Sequence, residues 1–541
     1  MCGFAFLFDP ERAPETRRAR VNAAVTALRH RGPDEQRIDS GEGFAAGHAR
    51  LSIIDLSASH QPMRSPDGRY VLAYNGEIYN YAELRRALEP HWSFATHGDT
   101  EVLLAGLCLH GTDFLARMEG MWAFVLWDTL DRSALLCRDR MGKKPLYFSA
   151  SGQQLSCASE LPAMRALGER AWQQDPDGLA DYFRYGYCLP GHTAWMGVKE
   201  VLPGHWLRWR PGREIEQAPY WQLPVPPGDG REIDDETLRQ TLTEAVRKRL
   251  VADVEVGAFL SGGIDSSLVC ALAQPLMERR LKTYTIGFAD PAFDESPYAA
   301  AVADFLGTDH HCAVLEAWDE QRLETLLTQH IGQPFADSSI LPTALVSELA
   351  ARDVKVVLSG DGADEFFGGY QRYQARAILR WYTRLPAGLR GLAERALLAL
   401  PEPGVHHSRS LLKKAHLFVD VACRVDTETP YTAPLMFHPQ AYARLFPELA
   451  GRGHTAAGLP EECALDDLSR MLHADALVYL PQDILVKVDR ASMAHGLETR
   501  APFLDHKLIE LAVTRRASRH LRPGRGKRWL RSAFAGQLPP D

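Results

Sequence analysis

The second residue of the chain is a cysteine, and this position gives it a chemistry that an internal cysteine lacks. Removal of Met1 would leave Cys2 as the first residue, with its α-amine, of pKa about 7.7–8, beside its own thiol. The amine can then accept the thiol proton through a water molecule and leave a sulfur nucleophile. A Met-Cys start is weak support by itself, because most cysteines are small buried apolar residues. Cys2 is therefore a candidate nucleophile that other residues must support.

Five short segments follow Cys2 in the first part of the chain. They are Arg31-Gly-Pro-Asp34, Arg50-Leu-Ser-Ile-Ile54, Tyr74-Asn-Gly-Glu-Ile-Tyr-Asn80, Gly98-Asp-Thr-Glu101 and Arg138-Asp-Arg-Met-Gly-Lys-Lys-Pro-Leu-Tyr147. Taken singly, Asn75-Gly76 predicts a hairpin turn after a strand at 69–74, and Arg50 predicts a surface ion pair. Taken together with Cys2, the segments resemble the class II, N-terminal nucleophile, glutamine amidotransferases. The resemblance covers roughly the first 200 residues.

This resemblance implies a role for each residue of a glutaminase site. Cys2 would attack the glutamine carboxamide, and Glu77 and Asp99 would receive the α-ammonium group. The Asn75 amide and the Gly76 N–H would form the oxyanion hole. Arg50 would hold the glutamine α-carboxylate, because the fork of a guanidinium group matches the two oxygens of a carboxylate. The implied glutamine-binding set is Arg50, Leu51, Ser52, Ile53, Ile54, Asn75, Gly76, Glu77 and Asp99.

A second candidate site begins at Ser261-Gly-Gly-Ile-Asp-Ser-Ser267, between a predicted strand and a predicted helix. Its two glycines let the backbone approach an anion, while hydroxyls and the helix N-terminus supply donors. The segment has neither the Gly-Lys-Ser/Thr of a Walker A loop nor a GxGxxG pattern. It resembles the pyrophosphate loop of ATP-pyrophosphatase domains. The alternative is an ordinary helix start.

Three further segments resemble the same kind of domain. Tyr284-Thr-Ile-Gly-Phe288 resembles its adenine-contacting strand, and Gln333-Pro-Phe-Ala-Asp-Ser-Ser339 resembles a substrate-side loop. Val357-Leu-Ser-Gly-Asp-Gly-Ala-Asp-Glu-Phe-Phe-Gly-Gly-Tyr370 matches a signature of glutamine-dependent asparagine synthetases. Asp361 stands where some members carry glutamate and β-lactam-forming relatives carry tyrosine. That residue favours plain amide formation.

The family resemblance implies ATP and Mg²⁺ as cofactors. Asp361 would be a catalytic carboxylate, and Mg²⁺ would bridge phosphate oxygens to Asp265 and Asp364. The alternative for Asp364 and Glu365 is a helix cap. The implied ATP-binding set is Leu260, Ser261, Gly262, Gly263, Asp265, Ser266, Ser267, Ile286, Ser359 and Gly360. Farther on, the segment from Leu480 to Asp505 is close to the family pattern, and its Arg490, Glu498 and Arg500 would form the domain interface and the active-site floor; the alternative is a buried ion network.

The elements that must position these residues change in character along the chain. Up to about Trp209, short β-prone runs with helices near 15–29, 81–89 and 99–110 predict an α+β domain of stacked antiparallel sheets. Beyond a Pro- and Gly-rich stretch, apolar strands alternate with helices, which predicts a doubly wound α/β parallel sheet. The predicted division is a glutaminase domain at 2–213, a linker at 214–235 and an ATP-pyrophosphatase domain at 236–541.

Composition excludes several other classes. Apolar residues make up 45% and charged residues 24%, as in ordinary soluble globular proteins. The net charge of −8 argues against a nucleic-acid partner, which would need a basic surface. No apolar run reaches the roughly 20 residues of a membrane span, and the N-terminus lacks the basic region of a secretory signal. We expect a cytoplasmic enzyme without a membrane partner; homodimers are common in the resembled family.

The two halves together predict a glutamine-dependent asparagine synthetase. L-Glutamine supplies ammonia, L-aspartate is the default acceptor through a β-aspartyl-AMP intermediate, and an internal tunnel keeps the ammonia from water. The same chemistry on another carboxylate, such as a uronate, a peptide or a natural-product precursor, is one alternative. A catalytically decayed regulatory or scaffold homologue is another. A phosphoribosyl amidotransferase would share only the first half, and the second half shows no phosphoribosyl-pyrophosphate loop.

The end of the sequence raises one further question. Members of the resembled family usually continue into a Lys-x-Gly-Phe segment, whose lysine stabilises charge in the amide-forming step. The sequence stops at Asp541, before such a segment. We expect the sequence to be cut ahead of it. The alternative is that another cation, such as Lys527, serves that step.

Overall fold

The structure is a computed structural model, and part of the chain is described by it. The described residues are 2–168, 172–225, 233–315, 317, 319–374, 382, 384–401, 412, 413, 415, 416, 418, 436, 437, 439–456, 467–515, 520, 521 and 526–539. Met1, residues 226–232 of the predicted linker, and Asp541 lie outside the described residues.

Strands and helices alternate along the described chain. Strands β1 to β17 span Gly3–Phe8, Glu35–Gly41, Phe44–Arg50, Met63–Arg64, Tyr70–Ile78, Gly120–Asp128, Ser133–Arg138, Tyr147–Ser151, Gln154–Ala158, Lys199–Glu200, His205–Trp209, Glu216–Pro219, Val256–Phe259, Lys282–Phe288, Asp309–Leu315, Val356–Leu358 and Glu498–Arg500. Helices α1 to α17 span Pro14–Ala27, Tyr81–Leu88, Asp99–His110, Leu161–Leu167, Pro176–Tyr185, Asp235–Arg249, Ile264–Ala273, Ser296–Leu306, Glu320–Thr325, Ile340–Ala351, Ala363–Phe367, Ala387–Leu398, Pro439–Leu445, Asp467–Ala474, Leu485–Met493, His506–Thr514 and Arg528–Ala533. Short 3₁₀ and π segments span Gly111–Arg117, Gln274–Leu276, Leu326–Ile331, Pro447–Leu449, Asp475–Ile484 and Pro502–Leu504.

Two antiparallel sheets of six strands form the N-terminal domain, in the orders β10-β8-β9-β1-β3-β2 and β12-β11-β7-β6-β5-β4. Alternate residues of β1 face opposite ways, as the two-residue period of a strand requires. Phe6 and Phe8 meet Trp127 of the other sheet at ring-centroid distances of 5.5 and 4.8 Å. Ala5 and Leu7 pack beneath α1 and α4. The predicted stacked antiparallel sheets between helices are confirmed.

Strand β5 runs straight through the predicted hairpin turn. Gly76 pairs with Trp122 of β6, and the strand continues to Ile78. A Cβ atom at Gly76 would lie 2.3 Å from the carbonyl oxygen of Met121, so this position needs a glycine for close strand packing. The turn predicted from Asn75-Gly76 is therefore wrong, because the packing of β5 on β6 outweighs the local turn preference.

A five-stranded parallel sheet, in the order β15-β14-β13-β16-β17, forms the C-terminal domain. Val356 and Leu358 of β16 face the cluster that includes α6 and α7, whereas Val357 faces the cluster beneath α10. Helices on both faces make the sheet doubly wound, as predicted. The chain proceeds outward from β13 to β15 and returns to β16 beside β13. The strand order therefore switches between β13 and β16, where ligands bind in such sheets.

Buried ion pairs hold the two domains together. Arg31 contacts Asp489 of α15 at 2.8 Å and Glu160 at 2.6 Å, and Lys144 contacts Asp489 at 3.1 Å. These four side chains are at most 3% exposed. The Nε of Arg31 also donates to the carbonyl oxygen of Cys2 at 3.0 Å. The interface therefore reaches the backbone of the predicted nucleophile.

Candidate active sites

Cys2 lies beside Asn75 of strand β5. The pairing of β5 with β4 ends before this residue, at Val71 and Leu72. The Cys2 N–H donates to Oδ1 of Asn75 at 3.1 Å, and Sγ lies 3.9 Å from the carbonyl oxygen of Leu51. The residue is 8% exposed, and burial raises the pKa of its thiol. A thiol with a raised pKa needs an adjacent base to become a nucleophile. An α-amine at Cys2, exposed by removal of Met1, would supply one.

The Asn75 side chain has one engaged end and one open end. Its Oδ1 accepts from Cys2, whereas its Nδ2 is buried and has no hydrogen-bond partner among the described residues. Leaving a buried donor unpaired costs about 1–3 kcal/mol. The amide is thus poised to donate to a ligand oxygen close to Sγ. The structure brings the predicted nucleophile and the predicted oxyanion donors, Asn75 and Gly76, together.

Arg50 is 5% exposed, which rules out the surface ion pair that its spacing suggested. Its guanidinium donates to the carbonyl oxygens of Asp55 at 2.6 Å and Leu56 at 3.4 Å. These bonds use two of its five N–H groups and fix its orientation. The other groups can bind a ligand carboxylate.

The residues after Arg50 face the domain interface. Leu51, Ile53 and Ile54 belong to the apolar cluster that forms the core of the C-terminal domain. The N–H of Asp253 in that domain donates to the carbonyl oxygen of Ile53 at 3.0 Å. The Ser52 N–H donates to Asp34 at 2.7 Å. The side chains of this predicted glutamine-binding segment thus anchor it to the second domain, and their contact with glutamine stays a prediction.

Glu77 and Asp99 form a buried acidic pair. Oδ2 of Asp99 accepts from the Tyr74 hydroxyl at 2.8 Å and from the Ile78 N–H at 3.0 Å. Burial raises the pKa of Asp99 to about 6. Burial and the neighbouring Asp99 raise the pKa of Glu77 well above its usual value. Oε1 of Glu77 has no hydrogen-bond partner among the described residues. The pair therefore suits a ligand that brings a positive charge.

Glutamine affinity is expected to fall as the pH decreases through about 6. The pair must be ionised to bind an ammonium group, and a raised pKa moves its protonation above the ordinary Asp range of about 3.9. Calorimetry on Cys2→Ala, which cannot consume glutamine, measures the dissociation constant between about pH 5 and 8. Asp99→Asn is the control and should bind weakly at every pH. A constant dissociation constant in the Cys2→Ala protein contradicts the assignment.

Arg500 of the second domain connects the acidic pair to the other site. Its guanidinium lies 3.3 Å from Oε2 of Glu77 and 2.5 Å from Oε1 of Glu498. Its carbonyl oxygen accepts from the Ser359 N–H at 2.9 Å, at the start of the signature loop. The side chain is fully buried. Arg490, Glu498 and Arg500 thus lie in a buried ion network at the domain interface, and their place in the active-site floor stays a prediction.

Arg500→Gln is expected to raise the KM for glutamine roughly tenfold. The cation lowers the pKa of Glu77, which burial otherwise raises, and a hydrogen bond to a charged group is worth about 1.5–3 kcal/mol. Steady-state glutamate release measures the effect. Arg247→Gln is the matched control, because Arg247 pairs with Glu244 on the surface. An unchanged KM in Arg500→Gln would contradict a role for Arg500 in this site.

A cleft of about 470 Å³ opens where the strand order of the parallel sheet switches. Its walls come from the loops after β13 and β16 and from residues of β14, α10 and α15. The predicted residues that line it are Leu260, Ser261, Asp265, Ser266, Ile286, Ser359, Gly360, Asp361 and Asp364. The structure thus brings most of the predicted nucleotide and metal residues into one cleft.

Three predicted nucleotide residues do not line this cleft. Gly262 and Gly263 form the turn before α7, and Ser267 is buried inside that helix. Leu260 does line it, but its N–H donates to Tyr284 at 3.0 Å and its carbonyl accepts from Thr285. A direct backbone contact of Leu260 with the nucleotide is therefore limited to its carbonyl oxygen, and that contact stays a prediction.

Lys527 joins the two predicted metal ligands. Its Nζ contacts Oδ2 of Asp265 and lies 2.6 Å from Oδ1 of Asp364. Burial lowers the pKa of the Lys527 ammonium, but the two carboxylates outweigh burial and raise it. Oδ1 of Asp265 is buried and has no partner among the described residues. The two carboxylates already hold one cation, and one of them has an unused oxygen. Such carboxylate oxygens are ligands that fit Mg²⁺.

The signature loop packs tightly around this pair. A Cβ atom at Gly369 would lie 1.7 Å from Oδ1 of Asp364 and 2.2 Å from the Lys527 side chain. Helix α11 is capped by Gly362, with no side-chain cap bond, so the helix-cap alternative for Asp364 is wrong. Glu365 is buried and accepts from Tyr370 at 2.6 Å, and burial raises its pKa to about 8.

Lys487 is a cleft residue that sequence reasoning did not single out. It lies on α15, contacts Asp337 at 2.8 Å and donates to Ser339 at 2.8 Å. Its position two residues before Asp489 puts the cleft and the domain interface on the same helix. Its sequence signal was its place in the segment from Leu480 to Asp505, which resembles the family pattern without indicating a role.

A group with metal-ligand side chains also meets at the domain interface. The ligand atoms of His30, Glu160 and His330 lie within 4.8 Å of one another. Glu160 already contacts His30 at 3.0 Å and Arg31 at 2.6 Å. Because Arg31 neutralises this carboxylate, we assign the group to the interface ion network.

The fold and the two sites define a glutamine-hydrolysing carbon–nitrogen ligase. Residues 1–221 match the model of the glutamine amidotransferase domain, and residues 237–541 match that of asparagine synthase. The chain belongs to the asparagine synthase family. Among the described residues, no helix has both the length and the apolar character needed to cross a membrane.

Three curated relatives illustrate the family. The putative glutamine-hydrolysing asparagine synthetase of Mycobacterium tuberculosis is 36% identical over 95% of this chain and 81% of its own. Asparagine synthetase 1 of Bacillus subtilis is 31% identical over 100% of this chain and 85% of its own. Amidase chyE of Penicillium rubens is 30% identical over 94% of this chain and 82% of its own. Relatives named asparagine synthetase and a relative named amidase thus both align with nearly the whole of this chain.

Proposed function

We propose that this enzyme releases ammonia from glutamine at Cys2 and uses ATP to amidate L-aspartate. The observation that carries the proposal is the pairing of two preorganised sites in one chain. An open oxyanion donor lies beside a buried thiol in the first domain. Two carboxylates and a lysine lie in a cleft at the strand switch point of the second. Each arrangement is costly to keep without a ligand.

In the glutaminase step, the chain supplies the nucleophile, the base and the oxyanion donors. The α-amine of Cys2 takes the thiol proton, and Sγ attacks the carboxamide carbon. Nδ2 of Asn75 and the Gly76 N–H stabilise the oxyanion. The amine returns the proton to the leaving ammonia, and water hydrolyses the thioester to glutamate. Arg50, Glu77 and Asp99 orient the substrate through its two charged groups.

In the synthetase step, the acceptor carboxylate attacks the α-phosphate of ATP and pyrophosphate leaves. Asp265 and Asp364 would hold Mg²⁺, which neutralises charge on the phosphates. Lys527, which lies between these carboxylates, would add positive charge beside the phosphates. Asp361 lies next to them in the signature loop, where it can accept a proton from the attacking ammonia.

The apolar interface supports an internal passage for the ammonia. Leu51 contacts Cys2 through its carbonyl oxygen and belongs to the same apolar cluster as Leu260 at the nucleotide cleft. Met141 of the first domain belongs to that cluster as well. An apolar route favours neutral ammonia over ammonium, which is desolvated at high cost.

The choice of aspartate rests on the family and on relatives named asparagine synthetases. The same chemistry on another carboxylate is the second candidate, favoured by the relative named an amidase. ATP–pyrophosphate exchange, screened across aspartate, uronates and peptide carboxylates, tests the choice. Exchange with aspartate alone supports the proposal. Exchange only with another acid contradicts the choice of aspartate as the acceptor. No exchange with any acid favours the scaffold alternative.

A further inference from the structure

A small cavity lies at the domain interface between the two candidate sites. Met121, Met141 and Lys143 line it from the first domain, and Ala501 and Leu504 line it from the second. Its volume is about 20 Å³. Because about 10–15 Å³ holds one water-sized molecule, the cavity has room for one ammonia molecule.

Close contacts connect this cavity to both sites. Met121 is paired with Glu77 across β5 and β6, and its carbonyl oxygen abuts Gly76. On the other side, a Cβ atom at Gly362 would lie 2.4 Å from the Leu504 side chain. Gly362 follows Asp361 in the signature loop. The cavity thus lies between the predicted oxyanion strand and the predicted catalytic carboxylate.

Lys143 contributes an amine to the lining of this cavity. Its side chain is 6% exposed, and Nζ is buried without a hydrogen-bond partner among the described residues. Burial lowers the pKa of Lys143 to about 7. The lining of the cavity is mixed, with methionine, alanine and leucine beside charged and polar side chains, and a buried amine without a partner there is costly.

The charged groups around Lys143 offer little compensation for a positive charge on its amine. The cations that face it are Arg140, Lys144 and Arg249. The carboxylates are Asp139, Asp361 and Asp505. Asp139 accepts four backbone N–H groups at 2.8–3.3 Å, and Asp505 pairs with Arg249 at 3.0 Å. Only Asp361 remains to stabilise a charged Lys143.

Two other titratable side chains complete the lining. Burial lowers the pKa of His506, and the nearby Arg140 lowers it further, so this imidazole is neutral at neutral pH. Burial raises the pKa of the Tyr79 hydroxyl, which also stays neutral. Lys143 is thus the cavity group whose charge changes near neutral pH.

We propose that Lys143 is a proton gate on the ammonia route between the two sites, an inference that rests on the proposed function. The neutral amine hydrogen-bonds to a passing ammonia molecule and leaves it uncharged. The protonated amine transfers a proton instead: one N–H bond of Lys143 breaks and one forms on ammonia. The ammonium ion produced has no lone pair for attack on the acyl-adenylate.

The ratio of AMP formed to glutamate formed, with glutamine, ATP and an accepted carboxylate, tests the gate. With a pKa of about 7, neutral Lys143 falls from about nine-tenths at pH 8 to about one-tenth at pH 6. The wild-type ratio is expected to fall severalfold over this range. Lys143→Met has nothing to protonate, so its ratio should stay level. Lys143→Arg keeps its proton, because a guanidinium of pKa above about 12 does not give one up to ammonia, so its ratio should not fall with decreasing pH either.

Lys248→Met is the matched control, because Lys248 is an interface lysine that pairs with Glu119 away from Lys143. Its ratio should follow the wild type. A Lys143→Met ratio that falls with decreasing pH as the wild type does overturns the gate, as does a Lys143→Arg ratio that falls in the same way. If the wild type forms no AMP from glutamine or from ammonium chloride with any carboxylate, the proposed function fails and the gate with it.

Discussion

Cys2→Ala abolishes glutamate release and leaves AMP formation from ammonium chloride intact: this is the largest effect that we expect. Alanine cannot form the thioester, and removing the nucleophile of a comparable acyl-transfer site costs roughly 10⁴-fold or more. The proposed nucleotide cleft lies in the other domain and is expected to accept free ammonia directly. Glutamate and AMP, measured in parallel with each nitrogen source, give both rates.

Cys157→Ala is the matched control for this substitution. Cys157 is a fully buried cysteine in the same domain, and it packs in the core between the two sheets. Its loss should cost stability but leave glutamate release within a few-fold of wild type. Glutamate release by Cys2→Ala at the wild-type rate would remove the basis of the glutaminase assignment. A glutamine-analogue electrophile that labels Cys157→Ala but not Cys2→Ala would support it.

Asp364→Asn is expected to lower AMP formation roughly a hundredfold or more, with glutamine and with ammonium chloride alike. Asparagine keeps the size of the side chain but loses the charge that faces Lys527 and would bind Mg²⁺. Loss of one charged or dipolar group at a phosphoryl-transfer or oxyanion site has effects on this scale. Glutamate release should persist, because Asp364 lies in the other domain. Pyrophosphate release, followed against the concentration of Mg²⁺, measures the loss.

Asp309→Asn provides the control for Asp364→Asn. Asp309 is an exposed carboxylate at the start of edge strand β15, outside the cleft. Its substitution should leave both activities unchanged. Equal AMP formation by Asp364→Asn and wild type at limiting Mg²⁺ would show that this carboxylate binds no metal. Joint loss of glutamate release and AMP formation would indicate misfolding, which a thermal unfolding curve distinguishes.

Both domain folds were predictable because their sequences carry strong local periodicity. Phe4, Phe6 and Phe8 alternate with smaller residues along β1, and this two-residue period indicates a strand with one face buried against another layer. In the second half, apolar strands alternate with helices, a pattern that few folds other than a parallel doubly wound sheet satisfy.

The Asn75-Gly76 turn shows where local preference fails. These two residues form hairpin turns in most sequences, but here they continue β5. The deciding contact is with Met121, which is 45 residues away and leaves no room for a side chain at position 76. A short-range rule cannot include a contact across two strands that are distant in sequence.

Charged side chains at the interface were the least predictable part of the site. Asp489 and Lys143 occur in segments that resemble family motifs, yet their sequence gives no sign that Asp489 pairs with the glutaminase domain or that Lys143 faces the second domain. Whether a lysine is a solvated surface group or a buried amine depends on what covers it. Lys487 and Lys143 have the same side chain. Lys487 has a carboxylate partner, whereas Lys143 has none among the described residues.

The sequence by itself determined which elements form and which loops carry the chemistry. Strand and helix periods are local patterns in the sequence. The Ser-Gly-Gly and Gly-Asp-Gly loops come directly after strands that these patterns predict. The tertiary structure alone decided how the two sites are placed relative to each other. That arrangement depends on burial and on ion pairs between residues several hundred positions apart, such as Arg31 with Asp489. The energy of such contacts depends on the surrounding dielectric, which exists only once both domains have packed.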